Sequence, residues 1–327
     1  MIPFFTSNLI QNLTGAVLRT YIIFSAFGRA SDFALLKSLQ SFSDFDVICL
    51  TSKKYKKSWD NFGITTYSTF FNPMSFISKT VRFLLRKFDW LPFNITLRKL
   101  VFNNYNLRNL FVVPHNLRHF LSLEVLLNIN PEDYVFLVDA RDLIFQESPS
   151  EISKKLIKLD KIHLFEEGDY YFQNGAKQDF LSSPANRNWL RQLLNGDEEF
   201  DSFELKSVVI NSGCISGKAK DLTKLLIETT NLISKSNFGI AALLDQAALN
   251  AVAYQNSRLK KLVHINKNGE LVLNMCGVVK GPVELFNGII KNNDLITPIV
   301  HQFDRFGHYS LEVGLVLDRR KYGVQKD

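Results

Sequence analysis

Short apolar runs alternate with amphipathic stretches of helical period along most of this chain. The apolar runs are rich in β-branched and aromatic residues, as buried strands usually are. They cover residues 19–27, 46–51, 109–114, 134–138, 161–167, 206–217 and 297–303. The stretches with helical spacing cover residues 31–42, 115–129, 184–194, 219–233 and 239–255. This alternation predicts an α/β fold in which helices flank a mixed, mainly parallel, Rossmann-like sheet.

The chain has no internal repeat, no low-complexity tract and no linker rich in Pro and Gly, so we predict a single domain over residues 1–327. A basic helical insertion at about 70–106 interrupts the alternation. Within it, residues 78–93 place Phe83 and other apolar side chains among Arg82 and other basic ones, which is a basic amphipathic pattern. Two interpretations stay open, a surface helix docked on the core and a peripheral contact with an anionic membrane.

Composition narrows the class of protein. Hydrophobic residues make up 46% of the chain and charged residues 22%, which is typical of a globular protein. The net charge of +7 favours anionic partners such as phosphates and nucleotides, but the chain lacks nucleic-acid-binding motifs, and nucleic acid is not an expected partner. Cys49, Cys214 and Cys276 lack the spacing of a zinc site or a disulfide framework. With neither a signal peptide nor a membrane-spanning stretch recognised, we expect a cytoplasmic protein, with any membrane contact peripheral.

Three charged residues follow one of the predicted strands. The run Tyr134–Val138 is continuously apolar, as in a strand buried on both faces, and Asp139, Arg141 and Asp142 come after it. Open α/β sheets bind ligands outside the carboxyl ends of their strands. A shared Mg²⁺ or Mn²⁺ would remove the repulsion between the two carboxylates. A structural ion pair with Arg141 would also do so, and spacing alone does not choose between the two.

Later stretches add polar groups that could join this pair. The sequence INSGCISG at 210–217 predicts a glycine-containing turn off a strand, where backbone can approach a ligand closely. The run LLDQAALN sets Asp245 and Gln246 in an otherwise apolar helix, in which Asp245 could also be only a cap. His301 ends a late strand and is either a third metal ligand or a hydrogen-bonded structural residue.

The order of these features resembles that of nucleotide-sugar glycosyltransferases of the GT-A fold. An acid pair after an apolar strand is followed about 70 residues later by Asn-Ser-Gly, then by Asp-Gln-x-x-x-Asn, then by a late His. The resemblance covers about 109–305, plus a generic βαβ start. It is closest to families with an Asp-x-x-Asp metal motif, namely glycosyltransferase family 8 and the glycosyltransferase domain of the collagen lysyl hydroxylases.

The resemblance implies a role for each matching residue. Asp139, Asp142 and His301 would hold Mn²⁺ (or Mg²⁺) against the diphosphate of a UDP-sugar, and Asp245 and Gln246 would be the catalytic-site residues at the donor sugar. The residues implied to bind the nucleotide-sugar donor are Ala26, Phe27, Arg118, Asp139, Ala140, Arg141, Asn211, Ser212, Gly213 and Arg305. The stretch HQFDRFGHYS lacks the Gly-x-x-Lys-Pro pattern of family 8. Arg305 is predicted to take the role of that lysine at the donor.

The predicted function is therefore metal-dependent transfer of a sugar from a nucleotide diphosphate donor to a saccharide or glycolipid acceptor, in the synthesis of a surface polysaccharide. Asp245 would act either as the general base of an inverting reaction or as a residue that positions the donor sugar. Two rival functions remain. One is a nucleotidyltransferase-like phosphosugar enzyme that also uses acid-bound Mg²⁺, and the other is a non-catalytic binding protein whose acids are structural.

Overall fold

The computed structural model describes much of the chain between residues 18 and 302. The described residues are 18–27, 34–70, 77, 79, 80, 82, 83, 93–167, 169–170, 184–194, 207–275, 277–278, 283–286, 289–292 and 294–302. Arg305 and most of the basic segment 78–93 lie outside them. Within the described residues, no helix combines the length and the apolar character needed to cross a bilayer.

The strands of the described residues lie partly in the seven predicted runs, six of which contain a strand, and partly outside them. In chain order they are β1 (Thr20–Ser25), β2 (Asp46–Ser52), β3 (Thr65–Thr69), β4 (Tyr134–Val138), β5 (Leu143–Phe145), β6 (Ile162–Glu166), β7 (Asp169–Tyr170), β8 (Ile210–Lys218), β9 (Val263–Asn266), β10 (Val272–Asn274), β11 (Gly277–Val278), β12 (Val283–Phe286), β13 (Ile289–Asn292), β14 (Leu295–Ile296) and β15 (Ile299–His301).

Seven of these strands form one mixed sheet with the order β3-β2-β1-β4-β8-β6-β9. Strand β8 is antiparallel to both of its neighbours, whereas every other adjacent pair in this sheet is parallel. A second sheet joins β10, β15 and β5, and it carries the predicted late histidine. The remaining strands pair as β11-β7 and β12-β13-β14. The predicted mixed and mostly parallel sheet is thus confirmed.

Helices flank the large sheet on both faces. They are α1 (Ala34–Leu39), α2 (Lys53–Asp60), α3 (Phe93–Asn103), α4 (Tyr105–Phe111), α5 (Pro114–Leu126), α6 (Pro149–Leu156), α7 (Pro184–Leu193), α8 (Ala219–Lys235), α9 (Asp245–Gln255) and α10 (Ser257–Lys260), with a 3₁₀ turn at Ile157–Leu159. Alternate residues of a strand point to opposite faces. Accordingly Ile23 of β1 belongs to the core under α5, α8 and α9, while Ile22 and Phe24 belong to the core that contains Trp59 of α2.

Residues 109–114 do not form the predicted strand. They include the end of α4, which begins after Asn104, whose side chain accepts a hydrogen bond from the Leu107 backbone N–H at 3.1 Å. Only two residues are extended before Pro114 starts the next helix. A local Asn cap and a Pro at the first helical position therefore decide this stretch, and its two valines form the connection.

Two predicted helices end or begin elsewhere. The helix predicted at 239–255 begins only at Asp245, because the residues before it form turns in which the Asn116 side chain of α5 donates to two backbone carbonyls at 2.8 Å. Helix α5 ends at Leu126, so Leu127, predicted on its apolar face, is exposed. Tertiary hydrogen bonds override helical propensity in the first case.

Two described residues of the basic segment depart from its predicted polarity. Arg82, predicted on the basic face, is buried and donates to the Phe111 backbone carbonyl at 3.4 Å. Phe83, predicted on the apolar face, is exposed. Burial of Arg82 accords with a segment docked on the protein, and membrane contact by this segment stays a prediction.

Candidate metal centre

Three predicted ligands converge outside the carboxyl end of β4. Asp139 directly follows β4, and Asp142 directly precedes β5. Strand β15 pairs antiparallel with β5 and places His301 opposite Leu143, next to Asp142. The pairing extends one residue further, because the Gln302 backbone N–H donates to the Asp142 carbonyl at 2.6 Å. One ligand atom from each of the three residues lies within 4.8 Å of the others, so the cluster could hold a metal ion.

The imidazole of His301 is oriented for ligation. Its Nδ1 lies 2.8 Å from the amide oxygen of Asn274, on the neighbouring strand β10, and this oxygen can only accept a hydrogen bond. In the neutral ring the proton therefore sits on Nδ1, and Nε2 faces Asp139 at 3.5 Å and Asp142 at 3.6 Å. Nε2 is buried without a hydrogen-bond partner among the described residues. A bound cation would satisfy this nitrogen, and a histidine fixed through its other nitrogen is the usual arrangement at metal sites.

The pKa values of Asp139 and of the His301 imidazole are both shifted. Burial alone would lower the pKa of His301, but Asp139 and Asp142 outweigh it and raise the pKa to about 9. Burial alone would raise the pKa of Asp139, but Arg118 and His301 hold it well below its usual range. In the absence of metal, a proton on His301 thus supplies part of the positive charge that the acid pair requires.

The cation that pairs most closely with Asp139 is Arg118 of α5. Its Nη1 donates to Asp139 Oδ1, while its Nη2 donates to Asp245 Oδ2 at 2.7 Å and to the Ser212 carbonyl and hydroxyl oxygens, each at 2.9 Å. The guanidinium therefore links a predicted metal ligand with a predicted catalytic residue. Arg141, which the sequence offered as the neutralising residue, is exposed.

Asp245 and Ser212 both contact the Arg118 guanidinium. Asp245 is the first residue of α9 and its side chain is only 8% exposed. Burial alone would raise its pKa, but Arg118 overcomes this effect and lowers it. The Ser212 hydroxyl lies 3.2 Å from the same Oδ2 that accepts from Arg118. Asp245 is thus a stabilised carboxylate that already carries two hydrogen bonds.

Gln246 is held by residues that the sequence analysis missed. Its Nε2 donates to Glu167 Oε2 at 2.8 Å and to Asn186 Oδ1 at 2.7 Å, which turns its Oε1 towards the Ser212 backbone N–H at 3.2 Å. Burial raises the pKa of Glu167 even though the hydrogen bonds from Asn186 and Gln246 oppose the change. Glu167 directly follows β6, so the same rule that pointed to the acids after β4 could have found it.

Residues 210–217 form the buried strand β8, so the strand predicted at 206–217 is confirmed for these residues and the glycine-containing turn predicted at 210–217 is wrong. Its antiparallel pairing with β4 lets the Asp139 backbone N–H donate to the Gly213 carbonyl at 2.8 Å. A methyl group on Gly213 would overlap the His301 ring. The Asn211 side-chain oxygen accepts from the Gly213 N–H at 2.6 Å. Glycine is required here so that the histidine ring can lie against the strand.

The other predicted donor-binding residues lie around this cluster. Ala26 and Phe27 are buried directly after β1, and the Ala26 backbone N–H donates to the Leu50 carbonyl at 2.8 Å. Ala140 is buried in the apolar core between the two acids. A small cleft lies along the ends of β1 and β4 and is lined in part by Arg118 and Ser212.

Two oxygens and one nitrogen form a ligand set that suits a hard or borderline divalent cation such as Mn²⁺ or Mg²⁺. Other coordination positions would be left for water or for the oxygens of a substrate. Neither the family models nor the curated proteins compared with this sequence match it. Any function proposed for this site therefore depends on the geometry of the site and on the order of the motifs along the sequence.

Proposed function

We propose that this protein is a divalent-metal-dependent glycosyltransferase of the GT-A type that uses a nucleotide diphosphate sugar as donor. The observation that carries the proposal is the convergence of Asp139, Asp142 and the unpartnered Nε2 of His301 at the carboxyl end of a central strand. The order of the motifs resembles that of this class. The mixed, mostly parallel sheet flanked by helices is compatible with it.

The chemistry of the proposed reaction needs charge stabilisation at the leaving group. A bound Mn²⁺ or Mg²⁺ would act as a Lewis acid on the donor diphosphate. The acid pair and His301 would hold the cation, and Asn274 would keep the histidine tautomer that allows ligation. A saccharide or glycolipid hydroxyl would be the acceptor.

Within this proposal, Asp245 positions the donor sugar. A general base needs a pKa near the working pH. The hydrogen bonds that Asp245 Oδ2 accepts from Arg118 and Ser212 stabilise the carboxylate instead, and the pKa of Asp245 is lowered. These contacts favour the positioning role over proton abstraction, because a stabilised carboxylate is a weak proton acceptor.

Titration calorimetry with UDP, with and without Mn²⁺, tests the proposal. The wild-type protein should bind UDP only when Mn²⁺ is present, and Asp142→Asn should abolish this metal-dependent binding. Asp160→Asn is a matched control, because Asp160 is an exposed carboxylate and Asn tolerates its left-handed backbone at φ 49°. The control should bind UDP as the wild-type protein does.

The rival functions give different results. A non-catalytic protein with structural acids should show no metal-dependent heat with UDP, and Asp142→Asn should then reduce only stability. Hydrolysis assays over UDP-, GDP-, CMP- and dTDP-sugars identify the donor, while release of pyrophosphate from a nucleoside triphosphate and a sugar phosphate would indicate a nucleotidyltransferase. Metal-independent binding of UDP would contradict the proposal.

A further inference from the structure

The exposed face of α2 is strongly basic. Four lysines share this face, because a helix turns about 100° per residue and their spacing keeps them on one side. They are Lys53, Lys54, Lys56 and Lys57, and all four are exposed. Trp59 lies on the opposite side and is fully buried in the core. Of the four, only Lys56 forms an ion pair with a carboxylate of the described residues, that of Asp60 at 3.2 Å.

Local helix stability does not account for these lysines. Lys53 and Lys54 occupy the first turn of α2, where acidic residues are absent. Positive charge at a helix N-terminus opposes the macrodipole and destabilises the helix. Ser52, at the N-cap position, makes no side-chain capping hydrogen bond. The charges of Lys53 and Lys54 are therefore unfavourable for the isolated helix, and attraction to an anionic partner would offset this effect.

An aromatic side chain lies beside the lysines. Phe70 is 62% exposed, and the ammonium nitrogen of Lys53 lies 5.1 Å from the centre of its ring. Exposed Phe next to Lys combines an apolar anchor with positive charge, which is the composition of surfaces that enter the headgroup region of a bilayer.

The position of this face relates it to the candidate metal centre. Lys53 follows β2 and Phe70 follows β3, and both strands run parallel to β1 and, through it, to β4. The lysine and the phenylalanine therefore lie at the same edge of the sheet as Asp139. A membrane at this edge would be near the centre.

We propose that the α2 face, defined as the four lysines with Phe70, docks on an anionic phospholipid bilayer. Charge complementarity selects an anionic surface, since each lysine near such a surface contributes attraction. The exposed phenyl ring of Phe70 selects a bilayer over a soluble anion, because only the bilayer offers an apolar layer below the charges. This inference depends on the surface of α2 and is independent of the proposed enzymatic function.

Vesicle flotation of the full chain tests the inference. The protein should bind vesicles of phosphatidylcholine mixed with phosphatidylglycerol and should not bind vesicles of phosphatidylcholine alone. The triple variant Lys53→Glu, Lys54→Glu, Lys57→Glu should reduce the partition coefficient by at least about 100-fold. Phe70→Ser should reduce it by about 10-fold, because the ring loses its apolar contact.

A second triple variant controls for net charge. Lys158→Glu, Lys260→Glu, Lys261→Glu makes the same change of charge in exposed residues that precede β6 and β9, at the opposite edge of the sheet. It should keep most of the binding. An equal loss in the two triple variants would overturn the proposal, because the effect would then belong to total charge.

Two further measurements are needed. One distinguishes a bilayer from a soluble phosphate as the source of the anion, and the other distinguishes the docking proposal from the proposed enzymatic function. Glycerol phosphate, which carries a similar anionic group without acyl chains, should not compete with the vesicles, and full competition would overturn docking on a bilayer. The α2 triple variant should keep the same circular dichroism spectrum and the same calorimetric response to Mn²⁺ and UDP as the wild-type protein. Failure of vesicle binding with an intact UDP response would refute the docking surface alone.

Discussion

Replacing Arg118 by methionine should destabilise the protein by about 3 kcal/mol. Methionine keeps much of the apolar length but removes the guanidinium that donates to Asp139, Asp245 and Ser212. Breaking a buried ion pair from one side costs about 3–5 kcal/mol, because the remaining charge is uncompensated. The Asp245 side chain is 8% exposed and that of Asp139 is 35% exposed, so water recovers part of the cost at Asp139. The expected destabilisation therefore lies at the lower end of this range.

The measurement is the free energy of unfolding from denaturant titration at neutral pH, with a chelator present so that no metal compensates. Arg19→Met is the matched control, since Arg19 and its partner Asp46 are both exposed and 3.9 Å apart, and it should cause no measurable change. The double variant Arg118→Met, Asp245→Asn should be more stable than Arg118→Met alone, because it removes the uncompensated charge.

Metal addition gives a second result from the same variant. Arg118→Met releases Asp139 Oδ1 and removes a positive charge near the centre, so Mn²⁺ should bind it more tightly and stabilise it more than it stabilises the wild-type protein. A loss below about 1 kcal/mol in chelator, with no recovery in the double variant, would refute the idea that Arg118 neutralises both carboxylates.

Two more predictions concern the surroundings of the centre. Gly213→Ala should lower the free energy of unfolding by about 1–3 kcal/mol and weaken Mn²⁺ binding in calorimetry, because the methyl group would displace the His301 ring; unchanged affinity would contradict the close contact. Burial and Arg118 lower the pKa of His119 to about 4 from an ordinary 6.5, so the unfolded chain takes up its proton first on acidification. Its contribution of about 3 kcal/mol should be present above pH 6.5 and lost between pH 6.5 and 4, and unfolding of His119→Gln across this range should show a shallower pH dependence.

Much of the sheet was predictable from the sequence, because its strands are locally encoded. The run Tyr134–Val138 is buried at all five positions, and such a strand can be recognised without its neighbours. Residues 109–114 were mispredicted, because a cap at Asn104 and Pro114 outweigh two valines. Short β-branched runs do not by themselves distinguish a strand from a connection between helices.

The candidate site was predictable only in part. Asp139 and Asp142 could be recognised from the sequence, because they are charged residues that follow an apolar strand. Arg118 could not be recognised as the link between Asp139 and Asp245, because this role depends on how α5 packs over the sheet. The orientation of His301 depends on Asn274, which only the pairing of β10 with β15 brings next to it. Such contacts depend on strand register and helix packing, which local sequence patterns do not encode.

Asp142 and His301 are separated by nearly half of the 327-residue chain. The two carboxylates are therefore synthesised well before the imidazole that lies near both of them and would share their metal ion. The ribosome releases the chain from its N-terminus. Arg118 and Asp139 are only 21 residues apart and both emerge long before the histidine. The guanidinium is therefore available to one carboxylate of the acid pair before the imidazole is. The imidazole arrives with the last described strand, and only then does the newly made protein acquire its complete set of metal ligands.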